Sequence, residues 1–315
     1  MFTGIMSGIT WAIETIILGI ALNSSAFAST EEAIILAPFV STFLHDTFSA
    51  IWATIYNTAK GNFHKALACL KKKDGLFAVL AAVIGGPIGM TGYVLAVNYM
   101  GASIGAVASA VFPAIGAALA FIFLKEKMQW YRWVFLIMTL LGVYGLSYSP
   151  EVNIKNFWLG ICGALMCAFG WGIEAVILAK CMKDPDIKDE YALQIRQTTS
   201  AVVNGIIILP ILGGWNFTVG LFKKETSSVI LLIAFAALFA TVSYLFYYKA
   251  INKIGASKAM ALNVSYSAWA IVFTVIILRD FSVLTPTTIV CGLIVLIFGI
   301  LSAADFKELF AHNLK

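Results

Sequence analysis

Ten apolar stretches of roughly bilayer-spanning length divide this chain, and that pattern excludes almost every soluble fold. They run at about 3–22, 34–56, 75–99, 102–124, 131–149, 157–179, 191–213, 228–249, 257–278 and 285–304. In hydrocarbon each backbone N–H and C=O must be bonded within the protein, so a stretch of about 20 apolar residues crosses as a helix. Only 12% of the residues are charged, against about 25% in a soluble domain. The connections are too short to hold a soluble domain. The expected fold is an all-α integral membrane protein with ten transmembrane helices.

Charge then orients the helices. With the N-terminus inside, 16 of the 21 Lys and Arg residues fall on the cytoplasmic side. Lys155, Lys223, Lys224 and Arg279 fall outside, and Arg196 lies near the start of the seventh segment. Basic residues are retained on the cytoplasmic side, so both termini are expected there. The basic loop at 60–73 suits anionic lipid headgroups and not nucleic acid. Ala26-Phe27-Ala28 imitates a signal-peptidase site, but no basic segment precedes the first apolar stretch and Glu14 interrupts it, so that stretch reads as retained. The five cysteines lack metal-ligand spacing and read as packing residues.

The halves repeat. Trp11-Ala12-Ile13-Glu14 returns as Trp171-Gly172-Ile173-Glu174, and Ala96-Val97-Asn98-Tyr99-Met100-Gly101-Ala102-Ser103 as Ala250-Ile251-Asn252-Lys253-Ile254-Gly255-Ala256-Ser257. The second offset is 154, and Leu124-Lys125-Glu126 returns at the same offset as Leu278-Arg279-Asp280. The expected units are 1–149 and 150–315, five helices each. Five is odd, so the second half is inverted in the membrane, which is a plan of secondary transporters. A GxxxxGK[ST] phosphate loop is missing from the sequence, which points to gradients and not ATP as the driving force. No cofactor or metal is called for.

The five-plus-five plan, the Phe121-Ile122-Phe123-Leu124-Lys125-Glu126-Lys127 loop and Gly142 in the helix after it resemble the drug/metabolite transporter (EamA-like) superfamily. A narrower resemblance, to LicB-type bacterial choline transporters, is carried by Gly86-Pro87-Ile88-Gly89-Met90, Phe112-Pro113-Ala114-Ile115, Trp171-Gly172-x-Glu174, Ile195-Arg196-Gln197-x-Thr199-Ser200, Leu262-Asn263-Val264-Ser265-Tyr266 with Trp269, and His45-Asp46. It implies proton-coupled choline uptake; Glu14 and Tyr93 stand outside that pattern.

The residues themselves support a cation site. A carboxylate at mid-bilayer costs roughly 2.5–3.5 kcal/mol, so Glu14 and Glu174 are functional candidates. In both words the Trp precedes the Glu by three residues, so ring and carboxylate share a helix face. A cation over an aromatic face gains about 0.5–2 kcal/mol, so several rings are needed. Trp11, Trp171, Tyr93, Tyr244, Tyr247, Asn263, Tyr266 and Glu174 are the expected substrate-binding residues, against the alternative of plain packing. Tyr248, beside Lys249, suits the cytoplasmic aromatic belt. Asn263 is placed to orient a hydroxyl or to bond a neighbouring helix.

Glu14, His45, Asp46, Glu174 and Arg196 are the candidates for proton coupling or gating. Glu14 has the alternative of being satisfied by a hydroxyl such as that of Thr10. His45 and Asp46 point about 100° apart on a helix and need not pair. Arg196 reads as an inner-gate or structural cation, able to snorkel and paired with an acidic group. Gly85-Gly86-Pro87 and Gly89 read as close packing and a kink. The expected partners are a small cation, choline, and membrane lipids, with the protein a monomer or weak dimer. The rivals are an exporter of amino acids or other metabolites on the same fold, a lipid-modifying membrane enzyme, and a receptor that binds without transporting.

Overall fold

The computed structural model describes residues 1–101, 110–148, 154–223 and 227–304. Among these residues every regular element is helical, and eight helices are long and apolar enough to cross a membrane. Two of the ten expected spans are not among the eight. The stretch at 102–124 lies partly outside the described residues and contributes a shorter apolar helix, Phe112–Phe123. The stretch at 191–213 is interrupted by Gln194, Arg196 and Gln197, which make it too polar on average.

In chain order the main helices are α1 (Phe2–Leu22), α2 (Glu31–Ala59), α3 (Lys73–Met100), α4 (Phe112–Phe123), α5 (Trp130–Ser147) and α6 (Phe157–Cys181). They continue as α7 (Asp189–Val203), α8 (Ser227–Ile254), α9 (Ala256–Leu278) and α10 (Pro286–Ala303). Local chemistry marks their starts. The Thr30 hydroxyl accepts from the Ala33 N–H at 3.1 Å, and Glu31 and Glu32 occupy the positive first turn of α2. Asn156 caps α6 by accepting from Leu159, and Thr285 with Thr288 forms a capping box before Pro286.

Three helices carry a widened π-helical turn, that of α9 lying at its end over Thr274–Leu278. In α3 it spans Ile84–Ile88 and contains Gly85, Gly86 and Pro87; α7 runs into another at Asn204–Ile208 before Leu209–Ile211. In the first two, Pro87 and Pro210 have no N–H to give and crowd the preceding turn, so the local ladder widens. The α9 helix is broken differently. Its regular part stops at Asn263 and resumes at Tyr266, with no Gly or Pro between.

Packing runs chiefly between α1 and α8, α3 and α6, α5 and α10, α1 and α9, α4 and α6, α2 and α7, and α2 and α8. Crossing of α3 and α6 depends on Gly92 and Gly163: a Cβ on either would stand 2.6 Å from the other's carbonyl oxygen. Small residues let membrane helices approach when water cannot drive them together. One buried cluster, including Leu178, Leu193, Tyr248 and Met260, joins α3, α4, α6, α7, α8 and α9. A second, including Val40, Leu44, Leu209 and Ile233, joins α2, α8 and the end of the α7 segment.

Beyond α4 the backbone turns through Lys125 at φ 54°. The adjacent Glu126 carboxylate accepts from Ala256 N (2.8 Å), Ser257 N (3.1 Å) and the Ser257 hydroxyl (2.6 Å), clamping the start of α9. Gly255, just before, has φ 89°. Both unusual backbone states recur 154 residues apart: Gly101 has φ 84°, and Arg279 has φ 55°.

Candidate functional site

The residues singled out in the sequence come together. Trp11, Glu14, His45, Asp46, Tyr93, Trp171, Glu174, Arg196, Tyr244, Tyr247, Asn263 and Tyr266 all border one cavity of about 430 Å³. That volume is in the range of small-molecule sites. Helices α1, α2, α3, α6, α7, α8 and α9 each contribute to its wall.

Its aromatic residues form two groups. Trp11 stacks on Tyr266 with ring centroids 4.8 Å apart and planes 14° apart, and Tyr244 lies 6.4 Å from Trp11. Tyr93 stacks on Trp171 at 6.1 Å, while Phe112 meets the same indole edge-on at 5.5 Å. The two Trp residues of the repeated word thus each anchor a cluster. The Arg196 guanidinium sits 4.8 Å from the centroid of Tyr244, so a face of that ring is already in use.

Charges at the wall are almost fully buried: Glu14, Asp46, Glu174 and Arg196 are 5%, 3%, 7% and 5% exposed. Arg196 Nε donates to Glu174 Oε1 at 2.9 Å, and its NH1 group donates to Gln197 Oε1 at 2.8 Å and reaches Asp46 Oδ1 at 3.4 Å. The Tyr248 hydroxyl donates to Glu174 at 3.3 Å. Ser200 donates to Asp46, and Asn204 in turn approaches Ser200. His45 links the network to Glu14, with Nδ1 3.1 Å from Asp46 Oδ1 and Nε2 3.4 Å from Glu14 Oε1.

The glycines of the α3 π-turn permit this density. A Cβ on Gly85 would strike the Glu174 carboxylate, and one on Gly86 the Ser200 hydroxyl. Close packing accounts for both better than hinge freedom does.

Several sequence expectations change. His45 and Asp46 do pair, because the imidazole and the neighbouring carboxylate lean together across the 100°. Arg196 has the acidic partners expected of it, Glu174 and Asp46, but it does not snorkel to an interface. Thr10 does not satisfy Glu14, since its hydroxyl donates to Met6 O at 2.7 Å within α1. Tyr248 is no belt residue: it is 1% exposed, borders the cavity and bonds Glu174. Sequence reasoning also left Gln197, Ser200 and Phe112 without a role. Each lies in a motif of the resemblance, but nothing local shows which side chain it will meet.

The three carboxylates are therefore unequal. Glu174 and Asp46 are each bound to Arg196. Glu14 has His45 at 3.4 Å and Thr15 at 3.4 Å, and the Thr15 hydroxyl has a better acceptor in Trp11 O at 2.9 Å. Three carboxylates against one guanidinium leave two negative charges with His45 neutral and one with it protonated. Such a wall attracts a cation and repels an anion.

Comparison with known proteins agrees with a transport architecture. The model of the EamA-like transporter family matches residues 1–148 and 158–304. Protein LicB of Haemophilus influenzae is 28% identical over 272 residues, covering 85% of each chain. An uncharacterized transporter of Clostridium kluyveri is 26% identical over 246 residues, covering 76% of this chain and 75% of its own. Among the solved structures that match, one crystal structure has a TM-score of 0.69 at 14% identity, covering 100% of this chain and 98% of the other, which shows a shared fold.

Proposed function

The chain belongs to the EamA-like transporter family of multi-pass membrane proteins, and from that premise we propose that it imports choline or a related quaternary ammonium compound. Two inverted five-helix halves, 1–149 and 150–315, rock about the central cavity and expose it alternately to each side. Supporting this division are the family match in two stretches, 1–148 and 158–304, and the recurrence of the Gly101/Gly255 and Lys125/Arg279 backbone states. Both termini face the cytoplasm of a bacterial inner membrane, and the working unit is a monomer or weak dimer.

One observation carries the substrate reading: an aromatic-lined cavity whose buried charges sum to a net negative. A trimethylammonium group cannot donate strong hydrogen bonds, so rings and an unpaired carboxylate are what recognise it. Trp11, Trp171, Tyr93, Tyr247 and Tyr266 supply rings. Glu14 supplies the counter-charge, since Arg196 already neutralises one unit of the Glu174–Asp46 pair. Arg196 is equally unsuited to receive the carboxylate of an amino acid, which weighs against the exporter reading.

Proton linkage falls to Glu14 and His45. A proton held between these two side chains, whose nearest atoms lie 3.4 Å apart, rides inward with the cation as the halves rock and leaves on the cytoplasmic side, which couples the two movements. The membrane potential helps: one inward positive charge gains about 2.3 kcal/mol per 100 mV.

A thermal-unfolding panel on purified protein tests the substrate class. Ligand at 100 times its Kd stabilises by about 2.7 kcal/mol. Choline is expected to raise the unfolding temperature, with betaine and neutral amino acids ineffective. Stabilisation by amino acids and none by choline would overturn the reading.

A further inference from the structure

We infer that the cavity selects ligands bearing a hydrogen-bond donor two carbons from the cation, and that Asn263 Oδ1 is the atom that reads it. The inference rests on the quaternary-ammonium reading above and adds to it a second recognition point.

The argument begins at Ser7. Its hydroxyl donates to Gly4 O at 2.7 Å, so its single proton is committed. Ser7 Oγ can then only accept from Asn263, which must present its Nδ2 group, and that bond is 3.1 Å. The amide orientation is thereby fixed. Asn263 Oδ1 is left facing away from its partner, fully buried and without any hydrogen bond. A buried acceptor without a donor is costly, and proteins rarely leave one unless a ligand completes it.

Position makes the ligand readable. Ser7, Trp11 and Glu14 stand at i, i+4 and i+7, on one face of α1. Four residues rise about 6 Å. Asn263 and Tyr266 meet this face as successive rungs, Asn263 on Ser7 and Tyr266 on Trp11. Along α1 the cavity wall therefore offers acceptor, aromatic ring and carboxylate in that order. A cation seated against the Trp11 ring, with Glu14 beyond it as counter-charge, carries a two-carbon arm back toward Asn263. A hydroxyl on that arm donates to Oδ1. A carboxylate there would meet the same carbonyl oxygen with like partial charge, so betaine is rejected. Ser7 is a positioning residue: without its acceptor the amide can rotate and present N–H instead.

Equilibrium binding of choline, propyltrimethylammonium and betaine to the purified protein tests this. Propyltrimethylammonium matches choline in size and charge but has a methyl in place of the hydroxyl. The wild type should bind choline about ten- to a hundredfold more tightly than propyltrimethylammonium. Equal affinity for the two overturns the inference while leaving the quaternary-ammonium reading intact. Failure of both to bind overturns that reading, and the inference falls with it. Ser7→Ala should narrow the choline-to-betaine ratio at least severalfold, with choline affinity changing less; an unchanged ratio refutes the positioning role. The wild-type ligand series stands on its own if the variant fails to fold.

Discussion

Glu14 and Glu174 occupy the same place in a repeated word, yet exchanging each for Gln should have opposite consequences. Glu174→Gln removes a 2.9 Å charge-assisted bond and strands part of the Arg196 charge among buried groups. Breaking a buried ion pair costs about 3–5 kcal/mol. Asp46 stays 3.4 Å from Arg196, so the lower end, about 3 kcal/mol, applies. At about 2–4 °C per kcal/mol the unfolding temperature drops by roughly 6–12 °C. Glu14→Gln loses only a 3.4 Å contact to His45, which an amide oxygen can keep. Its stability should stay within about 1 kcal/mol of wild type. Its choline affinity should not. A cation about 5 Å from a carboxylate at an effective dielectric of about 20 gains about 3 kcal/mol, part of which open water removes. A loss of about ten- to a hundredfold in affinity remains. Fluorescence-monitored thermal unfolding and equilibrium choline binding on the two variants measure both quantities. Equal stability losses, or a Glu14→Gln protein that binds choline like wild type, would refute the division of roles.

Three further outcomes follow from the geometry. Gly85→Ala forces a methyl against the Glu174 carboxylate and should cost about 1–3 kcal/mol by thermal unfolding, whereas an unchanged protein would mean that α3 yields there. Glu126→Ala strips the clamp from the start of α9 and should cost about 1 kcal/mol, while choline affinity, read by the same binding assay, stays within about twofold because the clamp lies outside the cavity wall. Trp11→Ala removes the ring stacked on Tyr266 and should weaken choline binding about tenfold, while Trp130→Ala, at a residue 76% exposed, should leave it unchanged.

Much of the fold was legible because hydrocarbon is a strict solvent. Apolar length alone marks most helices, and a carboxylate that interrupts it stands out, as at Glu14 and Glu174. The repeat was legible down to backbone detail: Lys125 and Arg279, matched by spacing, share a left-handed conformation. Pairings were not legible. Which acid meets Arg196 depends on how α2, α6 and α7 rotate about their axes, and sequence spacing carries no record of that. Tyr248 was misjudged for the same reason: its neighbour Lys249 suggested an interface, while the rotation of α8 turned the ring onto Glu174. The break in α9 at Val264–Ser265 has no Gly or Pro to announce it; Ser265 folds its hydroxyl back onto Leu262 O at 2.6 Å.

The central claim is that a cation crosses the membrane through this cavity, and uptake of labelled choline into proteoliposomes measures it. With the interior negative and the exterior acidic, choline should accumulate, and Glu14→Gln should lose the dependence on the proton gradient. No accumulation and no counterflow under any imposed gradient would contradict the account.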